Sequence, residues 1–261
     1  MTHFDSYSPG TFCWTDLTTP DPAGAKAFYT QLFGWEAVDL PVGPDMVYTT
    51  MNLEGKNVAA LFQMDPEQQA QGVPPHWISY VSVANAAESA ARAKALGGTV
   101  MVDAFDVMEE GRMAVIQDPT GGILSLWEPK RHIGARIVNE PGTLSWNELA
   151  TRDTEKAKAF YTQLFGWNTQ VQEMPTMTYT TFLNNGRMNA GMLAMTEEWG
   201  DMPPHWMVYF AVADCDASAE KVTALGGQVH VPPTDIPVGR FAVVGDPQGA
   251  VFTIMKINDP D

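Results

Sequence analysis

Ala25-Lys-Ala-Phe-Tyr-Thr-Gln-Leu-Phe-Gly-Trp35 recurs unchanged 132 residues later as Ala157 to Trp167. The match runs outward in both directions. Pro9-Gly-Thr-Phe-Cys-Trp-Thr-Asp-Leu17 answers Pro141-Gly-Thr-Leu-Ser-Trp-Asn-Glu-Leu149. Downstream, Pro74-Pro-His-Trp77 returns as Pro203-Pro-His-Trp206, and Ala95-Leu-Gly-Gly98 as Ala224-Leu-Gly-Gly227. Gly111-Arg112 returns as Gly239-Arg240, and Asp118-Pro-Thr-Gly121 as Asp246-Pro-Gln-Gly249. Ordered matches at offsets of 132, 129 and 128 are a tandem duplication, with a period too long for a solenoid. The expected organisation is a loose polar arm at 1–8, one domain at 9–131, a packed linker at 132–140 and a second domain at 141–261.

Inside the first half the pattern repeats again. Thr11 to Thr18 is rich in β-formers and predicts a strand, with Phe12, Trp14 and Asp16 on one face and Cys13, Thr15 and Leu17 on the other. Asp21-Pro22 predicts a helix start, an N-cap followed by proline at the first helical position. Phe28, Tyr29, Leu32 and Phe33 form its apolar stripe, and Gly34 ends it. Asp153 and Gly166 repeat this punctuation. Strands follow at Trp35–Leu40, Val47–Leu53 and Val58–Met64, separated by the turn-rich Pro41–Asp45 and Glu54-Gly55. Then Trp77–Val83 reads as a strand, Asn85 with Glu88 as a capping box, and Thr99–Asp103, Met113–Gln117 and Ile123–Trp127 as three strands. Asp118-Pro-Thr-Gly121 suits a tight turn. Each half is therefore β-α-β-β-β written twice, and the chain holds four such units.

Each half is long enough to bury a core of its own, and 45% apolar residues is ordinary for a folded protein. The charge is not: 15 basic against 31 acidic residues give −16. Such a chain repels phosphates, which argues against nucleic acid and anionic membranes as partners. It admits a cationic ligand, although solubility alone also accounts for the excess. No apolar run suffices to span a bilayer and no signal segment follows Met1, so the expected location is cytoplasmic. Cys13 and Cys215 stand opposite Ser145 and Ala86 in the repeat, so they read as free thiols rather than a disulfide framework.

The paired units, Ala-Phe-Tyr…Leu-Phe-Gly-Trp after the first strand and Asp-Pro-x-Gly before the last, resemble the vicinal-oxygen-chelate superfamily of glyoxalases, bleomycin-resistance proteins and extradiol dioxygenases. The resemblance spans essentially the whole chain and implies an α+β fold. Tandem glyoxalase/bleomycin-resistance domains would form curved mixed sheets with helices outside. More closely, His132-Ile-Gly-Ala135, Asn139-Glu140 and Gly142 to Leu149 resemble a group of glyoxalase-like bacterial proteins that includes a mycobacterial culture-filtrate antigen. The superfamily implies a divalent metal held by His, Gln and Glu. Those positions fall here on Trp14 and Trp146, on Ile78 and Met207, and on Ser125 and Thr253. None is a metal ligand of that kind, so neither a metal nor another cofactor is expected.

In place of the ligands each half offers a tryptophan and, two residues on, a carboxylate: Trp14 with Asp16, and Trp146 with Glu148. Either the indole fills the void of a lost metal site, or it forms a platform for an aromatic or cationic ligand. Alternatively Asp16 or Glu148 is a catalytic general base. His76, Trp77, His205, Trp206 and Trp127 are further ligand-binding candidates, as are Arg112 and Arg240, which could clamp a ligand carboxylate. For the histidines a bond to a strand-entry carbonyl is the competing expectation; for the arginines, an ion pair; for the tryptophans, core packing. The expected function is metal-free binding of a small aromatic or cationic molecule. The alternatives are a glyoxalase-like lyase or isomerase, using these carboxylates or a non-standard metal site, and a secreted interaction protein. A monomer with an internal pseudo-two-fold axis is expected, with a dimer as the alternative.

Overall fold

The structure, a computed structural model, describes residues 4–44, 46–173 and 177–258. Part of the expected arm (1–3), Asp45 of the expected turn and the last three residues lie outside them. In the first half β1 (Phe12–Thr19), α1 (Pro22–Phe33), β2 (Glu36–Pro41), β3 (Val47–Leu53) and β4 (Lys56–Gln63) form one unit. A short helix α2 (Pro66–Ala70), not expected from sequence, leads to β5 (His76–Ser82), α3 (Ala86–Ala95), β6 (Thr99–Val107), β7 (Gly111–Gln117) and β8 (Ile123–Pro129). The second half gives β9 (Leu144–Thr151), α4 (Thr154–Phe165), β10 (Asn168–Glu173), β11 (Thr178–Asn184) and β12 (Arg187–Ala194). A single 3₁₀ turn precedes β13 (His205–Ala211), α5 (Cys215–Ala224), β14 (Gln228–Ile236), β15 (Gly239–Gly245) and β16 (Val251–Ile257). Among the described residues no helix is long and apolar enough to cross a membrane.

The punctuation acts as expected. Asp21 and Asp153 accept from the backbone amides of Gly24 and Lys156, and Gly34 and Gly166 close their helices with φ of 73° and 74°. That left-handed conformation is one glycine adopts without a side-chain clash. Each half makes one curved eight-stranded mixed sheet, β2-β3-β4-β1-β5-β8-β7-β6 and its second-half equivalent. Within each, β1 runs parallel to β4 and antiparallel to β5, so the two units meet at the centre of the sheet. The edge strand β6 runs on to Val107, beyond the Asp103 expected from sequence.

Two expectations are corrected. Residues 4–8 are not a loose arm. Phe4 stacks on Tyr7, the Phe4 amide donates to the Arg136 carbonyl, and the buried Tyr7 hydroxyl donates to Ala135. Nor does each half keep a core of its own. Leu17, Phe28, Tyr29 and Leu32 share one buried cluster with Phe210, Val222 and Phe252. The second cluster joins Val81, Ala90 and Leu126 to Leu149, Phe160 and Tyr161. The halves interlock because the apolar stripe of α1 is shared with strands and a helix of the other half.

The polar bonds across this interface are reciprocal. Tyr29 donates to Asp246 (3.0 Å) and Tyr161 to Asp118 (2.7 Å). Trp35 Nε1 donates to the Gly142 carbonyl (2.7 Å) and Trp167 Nε1 to that of Gly10 (2.8 Å). Residue i meeting j while the counterpart of j meets that of i is the signature of a two-fold axis, here internal to one chain.

Candidate ligand-binding site

The centre of each sheet carries a carboxylate between two phenols. Alternation along β1 puts Trp14 and Asp16 on the concave face, opposite Tyr80 and Ile78 of β5. Tyr80 in turn aligns with Ser125 of β8. Tyr48 reaches in from β3. Trp14 Nε1 donates to the Tyr48 hydroxyl (3.0 Å), which donates to Asp16 Oδ2 (3.1 Å), and Tyr80 donates to the same oxygen (3.0 Å). The second half repeats the motif. Trp146 Nε1 donates to Tyr179 (3.1 Å), Tyr179 to Glu148 Oε2 (2.6 Å) and Tyr209 to Glu148 Oε1 (2.6 Å). Tyr179 crosses β12 at Gly191, where a Cβ would collide with its hydroxyl.

Both carboxylates are held by tyrosine hydroxyls. Burial pushes the Asp16 carboxyl up to about 7, against the opposing pull of its bonds from Tyr80 and Tyr48. Burial also raises Glu148, again offset by Tyr179 and Tyr209. The four phenols are raised too, by burial first and then by the adjacent carboxylate, so they stay protonated donors.

The two sites differ in what surrounds the tryptophan. In the first, His132 of the inter-half segment stands edge-on to Trp14, ring centroids 4.5 Å apart at 84°, and 5.7 Å from Trp127. Trp127 Nε1 holds the His132 carbonyl at 2.8 Å. Trp14 is 3% and Asp16 2% exposed, whereas Trp146 and Glu148 are only partly buried. The Asp16 Oδ1 and His132 Nε2 atoms are buried without a hydrogen-bond partner.

The other sequence candidates fall elsewhere. His76 and His205 enter their strands with Nδ1 against the Pro74 and Pro203 carbonyls, at 2.8 and 2.9 Å. Trp77 and Trp206 pack in the core rather than in the clefts. Their Nε1 groups donate to Tyr29 and Tyr161, the residues that bridge the halves. Arg112 pairs with Asp106, and Arg240 with Asp216 of α5 and Asp235. Both arginines are thus engaged away from the concave faces, and the carboxylate-clamp expectation is corrected. Phe12 is also corrected. A register shift between Phe12 and Trp14 breaks the alternation, and Phe12 packs on Trp167 and Trp206 of the other half. Sequence reasoning missed Tyr48, Tyr80, Tyr179, Tyr209 and His132. The repeat itself carried the signal for the tyrosines, since Tyr48 and Tyr179, and Tyr80 and Tyr209, are counterparts.

The family model of the Glyoxalase/Bleomycin resistance protein/Dioxygenase superfamily matches residues 11–125 and again 134–254. The chain belongs to this superfamily. Among its relatives, "Putative glyoxylase CFP32" of Mycobacterium tuberculosis is 45% identical over 252 residues, covering 96% of each chain. "Anthracycline biosynthesis protein DnrV" of Streptomyces peucetius is 34% identical over 265 residues, covering 97% of this chain and 95% of that protein. The Mn(II)-bound glyoxalase of Novosphingobium aromaticivorans superposes with a TM-score of 0.67 at 16% identity, over 97% of this chain and 84% of that one. The 2,3-dioxygenase LapB of Pseudomonas sp. KL28 gives 0.65 at 14%, over 98% and 96%. At such identities the structures show the fold alone.

The glyoxalase of Novosphingobium aromaticivorans is Mn(II)-bound, and the central strands here can be tested for a metal. The positions in register across β1, β5 and β8 are Trp14, Tyr80 and Ser125; in β9, β13 and β16 they are Trp146, Tyr209 and Thr253. Tyr80 and Tyr209 stand opposite the tryptophans, and Ile78 and Met207, the positions the resemblance implies, stand opposite Asp16 and Glu148. An indole, a phenol and an aliphatic hydroxyl beside a single carboxylate are a poor donor set for a divalent ion. Among the described residues no three His, Cys, Asp or Glu side chains converge to hold one. The residues present do not fit the metal.

Proposed function

We propose that this superfamily member binds a small aromatic or cationic molecule without a metal, and that the Trp146–Glu148 cleft is its working site. The observation that carries this is the partial exposure of Trp146 and Glu148, where Trp14 and Asp16 are sealed. An indole in contact with solvent offers a π-face to a planar or cationic ring. Beneath it Glu148 is oriented by two tyrosines and can complement positive charge. The relatives named for anthracycline biosynthesis are compatible with an aromatic ligand. The test is a fluorescence titration with proflavine, a planar aromatic cation. Trp146→Ala should weaken binding about tenfold or more, the equivalent of one lost stacking contact. Trp14→Phe should leave it unchanged. Equal affinity in Trp146→Ala would refute the assignment.

A second reading has its own observation. A partly exposed carboxylate raised by burial and held between two phenol donors, as Glu148 is, is placed to act as a general base. The reaction would be a glyoxalase-like lyase or isomerase step on a 2-oxoaldehyde adduct. Turnover by wild type that is lost in Glu148→Gln and Asp16→Asn would favour it over binding alone.

A further inference from the structure

The two sites share a carboxylate, two tyrosines and a tryptophan, but among the described residues only the first has an additional ring against its tryptophan. His132 comes from the inter-half segment and is wedged against Trp14 and Trp127. The segment around it is pinned: the Ala135 amide donates to the Cys13 carbonyl and the Arg136 amide to that of Asn57. Outside the ring lies an open depression of about 440 Å³ lined by His132 with the basic Lys56, Arg131 and Arg136 and the acidic Asp5 and Glu110. His132 is therefore the wall between solvent and the buried Trp14. At the end of each half the repeat offset is 128, which places Met255, without an aromatic ring, at the counterpart of Trp127. Among the described residues no aromatic ring packs against Trp146 as His132 does against Trp14, and Trp146 stays partly exposed.

We propose that His132 is an occupant built into the first cleft, and that the second cleft binds the free equivalent, a small planar nitrogen heteroaromatic ring held edge-to-face on Trp146. This rests on the ligand-binding reading of the Trp146–Glu148 cleft and names its ligand class. Edge-to-face packing sets the electropositive edge of one ring against the π-face of the other, an arrangement that aromatic pairs favour. In the first cleft the imidazole Nε2 is buried without a partner. In the second, Glu148 is one methylene longer than Asp16 and partly exposed, so it can meet a ring nitrogen. The imidazole is neutral where it sits: burial, then Arg136, pushes His132 down to about 4. The internal occupant thus marks the site for rings that need not be charged.

The experiment titrates the full chain with benzimidazole, following tryptophan fluorescence and counting sites by calorimetry. Wild type should bind at one site, weakened about tenfold or more by Trp146→Ala. His132→Ala should open the first cleft and bind at two; His132→Asn provides the same readout should the alanine variant fold poorly. A single site in both His132 variants, or a wild-type site indifferent to Trp146→Ala, overturns the proposal. If proflavine binds through Trp146 and benzimidazole does not, this inference fails while the binding reading stands. If neither binds, both fail.

Discussion

Trp14 and Trp146 occupy equivalent positions and make equivalent bonds, yet their surroundings assign them different energetics. Trp14 is enclosed by His132, Trp127 and Tyr48, so Trp14→Ala leaves a cavity and should cost about 3–5 kcal/mol of stability. Trp146 is partly solvated, and Trp146→Ala should cost clearly less in thermal or denaturant unfolding. Equal losses would mean the second cleft is as closed as the first. Asp16 sets a pH dependence of definite sign. Its folded-state value of about 7 lies above the ordinary 3.8, so the folded state binds its proton more tightly than the unfolded chain. Stability from this group is complete below about pH 4 and is lost as pH rises towards 7. The loss is at most about 4 kcal/mol, from a shift of roughly three units. Asp16→Asn should flatten that slope in melting curves taken from pH 4 to 8. An unchanged slope would mean that Asp16 ionises freely in the folded protein.

At the scale of elements, the duplicated stretch is a connector. Tyr29 and Trp35 lie on or beside α1 but bond to Asp246 and Gly142 of the other half; Tyr161 and Trp167 reach back to Asp118 and Gly10. Asp118 and Asp246 each turn one oxygen to the backbone amides of their own Asp-Pro-x-Gly turn and the other to a tyrosine. Tyr29→Phe would strip a donor from buried Asp246 and an acceptor from Trp77. Each such variant should therefore lose about 1–3 kcal/mol, and the Tyr29→Phe/Tyr161→Phe pair close to the sum. Chemical denaturation of the three variants measures this. A neutral Tyr29→Phe would show that the bridge is not needed. The same logic explains why these residues match between the copies, since a two-fold interface presents one surface to its own likeness.

At the scale of the molecule, shared cores make the two halves one folding unit. A chain of residues 1–140 would expose the stripe of α1, Phe28, Tyr29 and Leu32, that Phe210, Val222 and Phe252 cover. It should not give a cooperatively unfolding monomer in circular dichroism and size-exclusion measurements. It should remain unfolded or pair with a second copy. A stable monomeric half would contradict the interlocked core. By itself the sequence determined the duplication, the four β-α-β-β-β units, the helix caps and the superfamily, because repeats, alternation and capping are local and written in order. It also placed Trp14, Asp16, Trp146 and Glu148 on one strand face each, since alternation is a property of the strand. Only the tertiary structure decided what surrounds them. Tyr48 and Tyr80 reach Asp16 from strands 32 and 64 residues away, and His132 arrives from the segment between the halves. The bulge that turns Phe12 into the other core needs the partner strand to define it. Partners so distant in sequence leave no local pattern, because they are selected by the packing of one half against the other.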